Sequence, residues 1–496
     1  MRISRRQFVV GLLGTGAAVG VAACSRGAGA SSTTVDPAAI ASAEAARPVT
    51  GQTRSFTLKA KPVRVDLGGT VVDTWAYGDT IPGTVLRANA GDRVKVAFSN
   101  DLPMATSVHW HGLAIRNDMD GVPGVTTPET PMGGTFAFDF VVPDAGTHWF
   151  HPHHGLQMDR GLYAPFIVDD PNEKGAYDAE WILVLDDWTD GVGPSPEKIL
   201  ADLQSAGGSA DSSGMGMMGN GNGSGMGMGM MSADGGDVTY PLFLVNGRTS
   251  SDPDTLAAKP GDRVRLRIIN ASADTIFTVA LDSHDLTVTH TDGYPVEPVK
   301  ASGVRIGMGE RYDATVTLGD GVFDFVAEPV GKKGLARALI RTGSGAVPAD
   351  SHRPSGLDGY PLTVDALRVA EGAALPARDP DTVQDLMLSG SMAPYIWTIN
   401  GTTYDDTTPL TIRPGQAGRL RIRNHSMMSH PLHLHGHTFQ LGSAGGSGPR
   451  KDTVLVPPMG GVDVDLVADN PGKWMVHCHN AYHAETGMMT RLDYTT

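Results

Sequence analysis

Gly91-Asp92-Arg93-Val94-Lys95-Val96-Ala97-Phe98-Ser99-Asn100 alternates polar and apolar side chains behind a glycine turn, the pattern of a half-buried β-strand. The phrase returns twice. Gly261-Asp262-Arg263-Val264 runs through Leu266 and Ile268 to Asn270, and Pro414-Gly415 leads into Gly418-Arg419-Leu420-Arg421-Ile422-Arg423 and Asn424. Thr135-Phe136-Ala137-Phe138-Asp139-Phe140 alternates in the same way. Three echoes spread over 496 residues predict three copies of one β-sandwich, in keeping with roughly 150 residues per domain. The expected fold class is all-β, with sandwiches over residues 51–172, 173–350 and 351–496. Residues 25–50, rich in Ala and Ser, read as an unstructured linker. Residues 205–237, made of Gly, Ser, Asn and Met, read as an unpacked loop inside the second sandwich.

Charged residues are only 19% of the chain while Gly (63) and Pro (33) abound, which favours a turn-rich β protein over a helical bundle. The net charge of -15 excludes a nucleic-acid partner, which needs a concentrated basic surface. Asp169-Asp170 and Asp186-Asp187 read as solvated acidic loops. Residues 1–24 read as an address rather than as structure: Ser4-Arg5-Arg6-Gln7-Phe8 resembles a twin-arginine (Tat) export signal, and Val21-Ala22-Ala23-Cys24 resembles a lipobox, plain cleavage nearby being the alternative. Such a chain is exported to the periplasm or cell envelope, with membrane attachment only through a lipid on Cys24. The mature protein then keeps one cysteine, Cys478, and forms no disulfide within the chain.

The histidines fall in pairs: His109-Trp110-His111, His151-Pro152-His153, His433-Leu434-His435 and His477-Cys478-His479. On a strand, residues i and i+2 share a face, so each pair presents two imidazoles side by side. Two pairs lie in the first sandwich and two in the last. If these sandwiches pack together, eight imidazoles converge, more than a tetrahedral zinc or an oxygen-ligated calcium site would use, and a number that suits several copper ions. Cys478 stands between two of them and points to the opposite face. With His430 upstream and His483 and Met488 downstream, it completes the two-His, one-Cys, weak-Met set of a blue electron-transfer copper.

From about residue 50 to the end, these motifs resemble the multicopper oxidase family in order and spacing. The resemblance implies cupredoxin-like domains and four copper ions per chain. The type 1 ion would be held by His430, Cys478, His483 and Met488, the type 2 ion by His109 and His433, and the type 3 pair by His111, His151, His153, His435, His477 and His479. It further implies one-electron oxidation of a donor coupled to reduction of dioxygen to water, and a middle domain, marked by Asp292-Gly293 and Gly309-Glu310-Arg311-Tyr312, that holds no ligand and acts as a spacer. Asp120 matches the family's acid near the type 2 copper, with capping of the Asp120-Gly121 turn as its other reading. Many relatives carry an acid directly after the second type 1 histidine. Here that position is Ala484, and Glu485 follows. His148, His154, His425 and His437 sit beside the motifs and read as supporting or surface residues.

Family resemblance leaves the donor open between Cu(I), another metal ion and a small phenol. Met215, Met217, Met218, Met226, Met228, Met230 and Met231 crowd one Gly-rich stretch, and soft thioethers select Cu(I). Met428 precedes His430 by two residues, as in bacterial cuprous oxidases. The expectation is a monomeric cuprous oxidase resembling the actinobacterial copper-resistance branch. A phenol-oxidising laccase and a non-enzymatic copper store are the rivals. Turnover on Cu(I) against phenol separates the first, and oxygen consumption by the copper-loaded protein the second.

Overall fold

The structure, a computed structural model, describes residues 36–173, 177–208 and 235–495. Among them, six β-sheets pair into three sandwiches in chain order. In the first, the sheet of Val71–Tyr77, Thr53–Asp66, Arg93–Asn100 and Thr135–Val141 faces a sheet containing Leu86–Asn89, Ala164–Asp169, β1 (His109–His111) and β2 (Gly146–His151). The middle sandwich contributes β3 (Arg311–Thr317). The last contributes β4 (Tyr395–Ile399), β5 (His430–Leu434) and β6 (Lys473–Cys478).

The three echoed strands do the same job in each sandwich. Each pairs parallel to its sandwich's first long strand and antiparallel to a later one. Their terminal asparagines are buried and staple the next loop. The side-chain amides of Asn100, Asn270 and Asn424 each donate to two or more backbone carbonyls, at least one of them in the next loop, while each Oδ1 accepts the N–H two residues on. A buried amide that satisfies both ends this way fixes the loop as firmly as a ladder bond does.

Register brings the histidine motifs together. β1 pairs with β2 so that His109 lies opposite His151, and β5 pairs with β6 so that His433 lies opposite His477 and Leu432 opposite Cys478. Trp110 points the other way from its flanking histidines, into the first core, with its ring 5.2 Å from Phe138 and 5.3 Å from Phe150. Only the first His-x-His pair lies wholly on a strand. β2, β5 and β6 stop at His151, Leu434 and Cys478, so His153, His435 and His479 are set by the turns that follow. After β6, Asn480 caps the short helix Ala481–Glu485 by accepting from the N–H groups of Tyr482 and His483, which turns His483 back toward Cys478.

Three expectations change. Residues 25–50 are not all linker, because α1 (Pro37–Ala45) buries Ile40 and its Glu44 accepts the N–H of Val141. Asp186 and Asp187 are not solvated. Asp186 accepts from the Tyr163 hydroxyl, and Asp187 takes the N–H groups of Ala273 and Asp274 and the hydroxyl of Thr275. The stretch 205–237 is packed at both described ends. α2 (Pro196–Gly208) runs into it and lies against β4, and at its far end Asp237 and Val238 donate their N–H groups to Asp274. Cys24 and the seven methionines from Met215 to Met231 lie outside the described residues.

Candidate metal centre

All eight paired histidines converge between the first and last sandwiches, and for six of them hydrogen bonds fix which nitrogen turns inward. Nδ1 of His109 donates to the Asp120 carbonyl (2.9 Å), that of His151 to Pro152 O (2.9 Å), that of His433 to Asp452 O (2.9 Å) and that of His477 to Cys478 O (2.9 Å). His435 Nδ1 donates to the Asp120 carboxylate at 3.1 Å. A neutral imidazole that gives its proton at Nδ1 holds a lone pair at Nε2. Those of His109, His151 and His433 have no partner in the protein, and those of His435 and His477 face each other at 3.0 Å. His111 is reversed, with Nε2 beside Thr453 Oγ1 (3.2 Å) and Asp452 Oδ1 (3.3 Å), and its Nδ1 is the unpartnered atom.

Burial is the first cause pulling His111, His151, His153, His433, His435, His477 and His479 below the ordinary imidazole range, and nearby imidazoles deepen the effect, which favours the neutral form of these seven. Buried, neutral and facing one another lone pair to lone pair, these rings are a donor set for borderline-soft metal ions, so the residues fit copper. The rings of His153, His435 and His477 lie 4.9–5.2 Å apart and those of His111, His151 and His479 4.9–5.7 Å apart, while His433, at 4.9 Å from His435 and 5.6 Å from His477, packs about as closely against two of the first three.

Two aspartates brace the cluster in parallel fashion. Asp120 contacts His109 and His435, which stack at 3.8 Å. Asp452 contacts His111 and His433, which also stack at 3.8 Å. Each carboxylate thus holds one imidazole from the first sandwich and one from the last. Burial opposes ionisation of Asp452, but the Arg311 guanidinium outweighs it and holds the carboxyl well below its usual range. Sequence reasoning found Asp120 and missed Asp452.

On the other face of β6, Cys478 Sγ lies 3.7 Å from Nδ1 of both His430 and His483, which are 3.1 Å apart. A point equidistant from the three atoms is about 2 Å from each, the length of a metal–imidazole bond. The outer nitrogens are anchored, His430 Nε2 to Ser426 Oγ (2.7 Å) and His483 Nε2 to Asp237 Oδ2 (2.8 Å). Burial lowers the His483 pKa, but Asp237 and Cys478 together push it up to about 10. Trp397 covers His483, ring to ring, at 4.0 Å. Met488 is fully buried, with its backbone bonded to Cys478 and His483. Met428 is half-buried against the core.

The middle sandwich holds no ligand in either group, yet it is more than a spacer. It supplies Asp237 to His483, Arg311 to Asp452, and Gly309, whose Cα lies so near the cluster that a Cβ there would stand 2.8 Å from the His479 ring and 3.1 Å from that of His111. A cavity of about 200 Å³ reaches the cluster, with His151, His153, His477 and His479 on one wall and Met158 and Glu485 on another. Burial pushes the Glu485 carboxyl up. His154 meets Glu129 at 3.4 Å, His425 is exposed, and His437 is buried against the Tyr494 hydroxyl. His148 is buried near Arg311 with its pKa lowered to about 3, burial being the main cause.

Multicopper oxidase profiles match residues 59–173, 179–345 and 377–496, one to each sandwich. The chain is 50% identical to multicopper oxidase MmcO of Mycobacterium tuberculosis, over 99% of this chain and 97% of the relative. It is 27% identical to copper resistance protein A of Escherichia coli, over 88% and 92% of the two chains. A solved structure of a mutant of the laccase from B. aclada superposes with a TM-score of 0.73 at 25% identity, covering 91% of this chain and 89% of that one. With the sandwich order, the histidine cluster and the Cys478 site in agreement, the chain belongs to the multicopper oxidase family, copper-dependent oxidoreductases with oxygen as acceptor.

Proposed function

We propose that the protein oxidises Cu(I) to Cu(II) at the Cys478 site and passes the electrons to dioxygen at the histidine cluster, as a copper-detoxifying oxidase of the cell envelope. Four coppers per chain would supply the redox chemistry, with His430, Cys478, His483 and Met488 to hold the type 1 ion, His109 and His433 the type 2 ion, and the trios His153, His435, His477 and His111, His151, His479 the type 3 pair. Cys478 sits between His477 and His479 in sequence, so the entry site and the cluster are separated by only a few covalent bonds, a short electron path. Asp237 and Ser426 orient the entry imidazoles, and Asp120 and Asp452 orient cluster imidazoles.

One observation carries the choice of Cu(I). Asp237, bonded to His483, closes the very stretch that holds the seven methionines, and α2 enters that stretch from a position packed against β4, whose Trp397 covers His483. The described flanks on either side of this thioether-rich sequence thus meet the surroundings of the electron-entry site, which favours a soft cation as donor. The copper-resistance relative points the same way, whereas the laccase supports a phenol donor at the same centre. The twin-arginine motif and Cys24 support export and lipid anchoring, and nothing in this chemistry requires more than a monomer.

Oxygen uptake by the copper-loaded protein, measured on Cu(I) and on a bulky phenol, tests the reading. Deletion of residues 214–231 is expected to depress turnover on Cu(I) far more than on the phenol. Equal loss on both substrates removes the case for Cu(I) recruitment. The Cys478→Ser variant is expected to lose the blue absorption, and a blue variant overturns the site itself.

A further inference from the structure

We propose that Arg311 of the middle sandwich, acting through Asp452, selects the nitrogen that His111 turns toward the metal cluster. The inference rests on the copper-cluster reading above and gives the middle sandwich a positioning role in it. Five cluster imidazoles, those of His109, His151, His433, His435 and His477, carry their proton on Nδ1 and turn Nε2 inward. His111 alone among the imidazoles with such bonds turns Nδ1 inward, because its Nε2–H points to Asp452 Oδ1 and Thr453 Oγ1.

That acceptor has little freedom to move. Arg311 Nη1 donates to Asp452 Oδ1 at 2.7 Å and Nη2 to Oδ2 at 2.6 Å, a two-pronged bond that fixes the carboxylate plane. Thr453 Oγ1 adds a third donor to Oδ1 at 2.8 Å. The guanidinium is itself held, Nε donating to Thr147 O in the first sandwich (3.0 Å) and Nη1 to Gly309 O (3.2 Å), while the Arg311 N–H donates to Asp292 Oδ1 (2.9 Å). Every member is buried, so water does not compete. One side chain therefore ties all three sandwiches to the orientation of one ligand. Asp120, which serves the mirror-related His109 and His435 stack, has no arginine partner among the described residues and contacts imidazoles that present Nδ1.

Removing the fork frees the Asp452 carboxylate to rotate and His111 to exchange its proton between nitrogens. The nitrogen that faces the cluster is then no longer fixed. Arg311→Met, Arg311→Lys and Asp452→Asn, each loaded with copper, are compared with the unmodified protein for copper retained against a chelator, for the ratio of paramagnetic to total copper, and for blue absorption. Arg311→Met is expected to hold cluster copper about 10- to 100-fold more weakly. Its paramagnetic fraction should rise as the coupled pair is broken, with the blue band intact. Arg311→Lys keeps the charge without the fork and falls between. Asp452→Asn keeps the shape and follows Arg311→Met; it decides the matter if Arg311→Met fails to fold and shows no blue band. Unchanged retention and an unchanged paramagnetic fraction in a blue variant overturn the inference alone. An unmodified protein that takes up copper without a blue band or a coupled pair overturns the copper reading and this inference with it.

Discussion

Two carboxylates that touch metal-facing imidazoles make the sharpest residue-level predictions. Asp120→Asn leaves an amide where the structure has an acceptor for both His109 and His435, and is expected to cut oxygen turnover about 10- to 100-fold while the blue absorption survives. Stopped-flow reoxidation of the reduced protein reads this, and normal reoxidation would reduce Asp120 to a turn cap. Asp237→Asn weakens the acceptor that makes His483 a more basic ligand, so the potential of the Cys478 copper should rise. Redox titration followed at the blue band measures it, and an unchanged or lower potential counts against the tether. The two residues also mark how far the sequence could be read. Asp120 is legible because it lies nine positions from His111 in one motif-bearing stretch. Asp237 is 246 residues from His483, Asp452 is 341 from His111, and no local pattern announces either contact.

At the level of elements, the echoed strands were legible because alternation and a terminal asparagine are local signals, and the staples formed by Asn100, Asn270 and Asn424 explain why that asparagine recurs. α1 was not, because Ala-rich composition read as linker. Yet Asp36-Pro37 ahead of that run is a helix start, with the Asp36 carboxylate accepting the Ala38 N–H. The turn before β3 was marked as family sequence without a role, since the approach of Gly309 to two imidazoles exists only once the sandwiches dock. Its φ of +81° is a left-handed value that disfavours any side chain, and a Cβ would meet the rings of His479 and His111. Gly309→Ala is therefore expected to cost about 1–3 kcal/mol in stability. It should also displace cluster copper while sparing the Cys478 site. Copper analysis beside the blue absorption tests this, and a full copper complement would show that the turn yields without disturbing the rings.

For the molecule as a whole, the cluster is a store of uncharged imidazoles, and this sets a pH dependence in the copper-free protein. Seven of them have folded pKa values below the unfolded value of about 6.5, so their contribution is complete above that pH and is lost as pH falls, because the unfolded chain binds protons that the folded one refuses. Each contributes a slope approaching ~1.4 kcal/mol per pH unit once its unfolded form is protonated. His483 runs oppositely: its contribution is complete below the unfolded value of about 6.5 and is lost as pH rises from there through about 10, so it adds nothing that offsets the loss as pH falls below about 6.5. The melting temperature of the copper-free protein is expected to drop steeply between pH 7 and pH 5, and a flat profile would mean that the imidazoles are charged or solvated. The meeting of β1 and β2 with β5 and β6 carries one more consequence, for biogenesis. Half the donors are synthesised before residue 154 and half after residue 432, so a nascent chain owns no complete trio until its last stretch emerges. Completion of the cluster then has to follow synthesis, and a chain interrupted before β5 would carry only half of its imidazoles and no part of the Cys478 site.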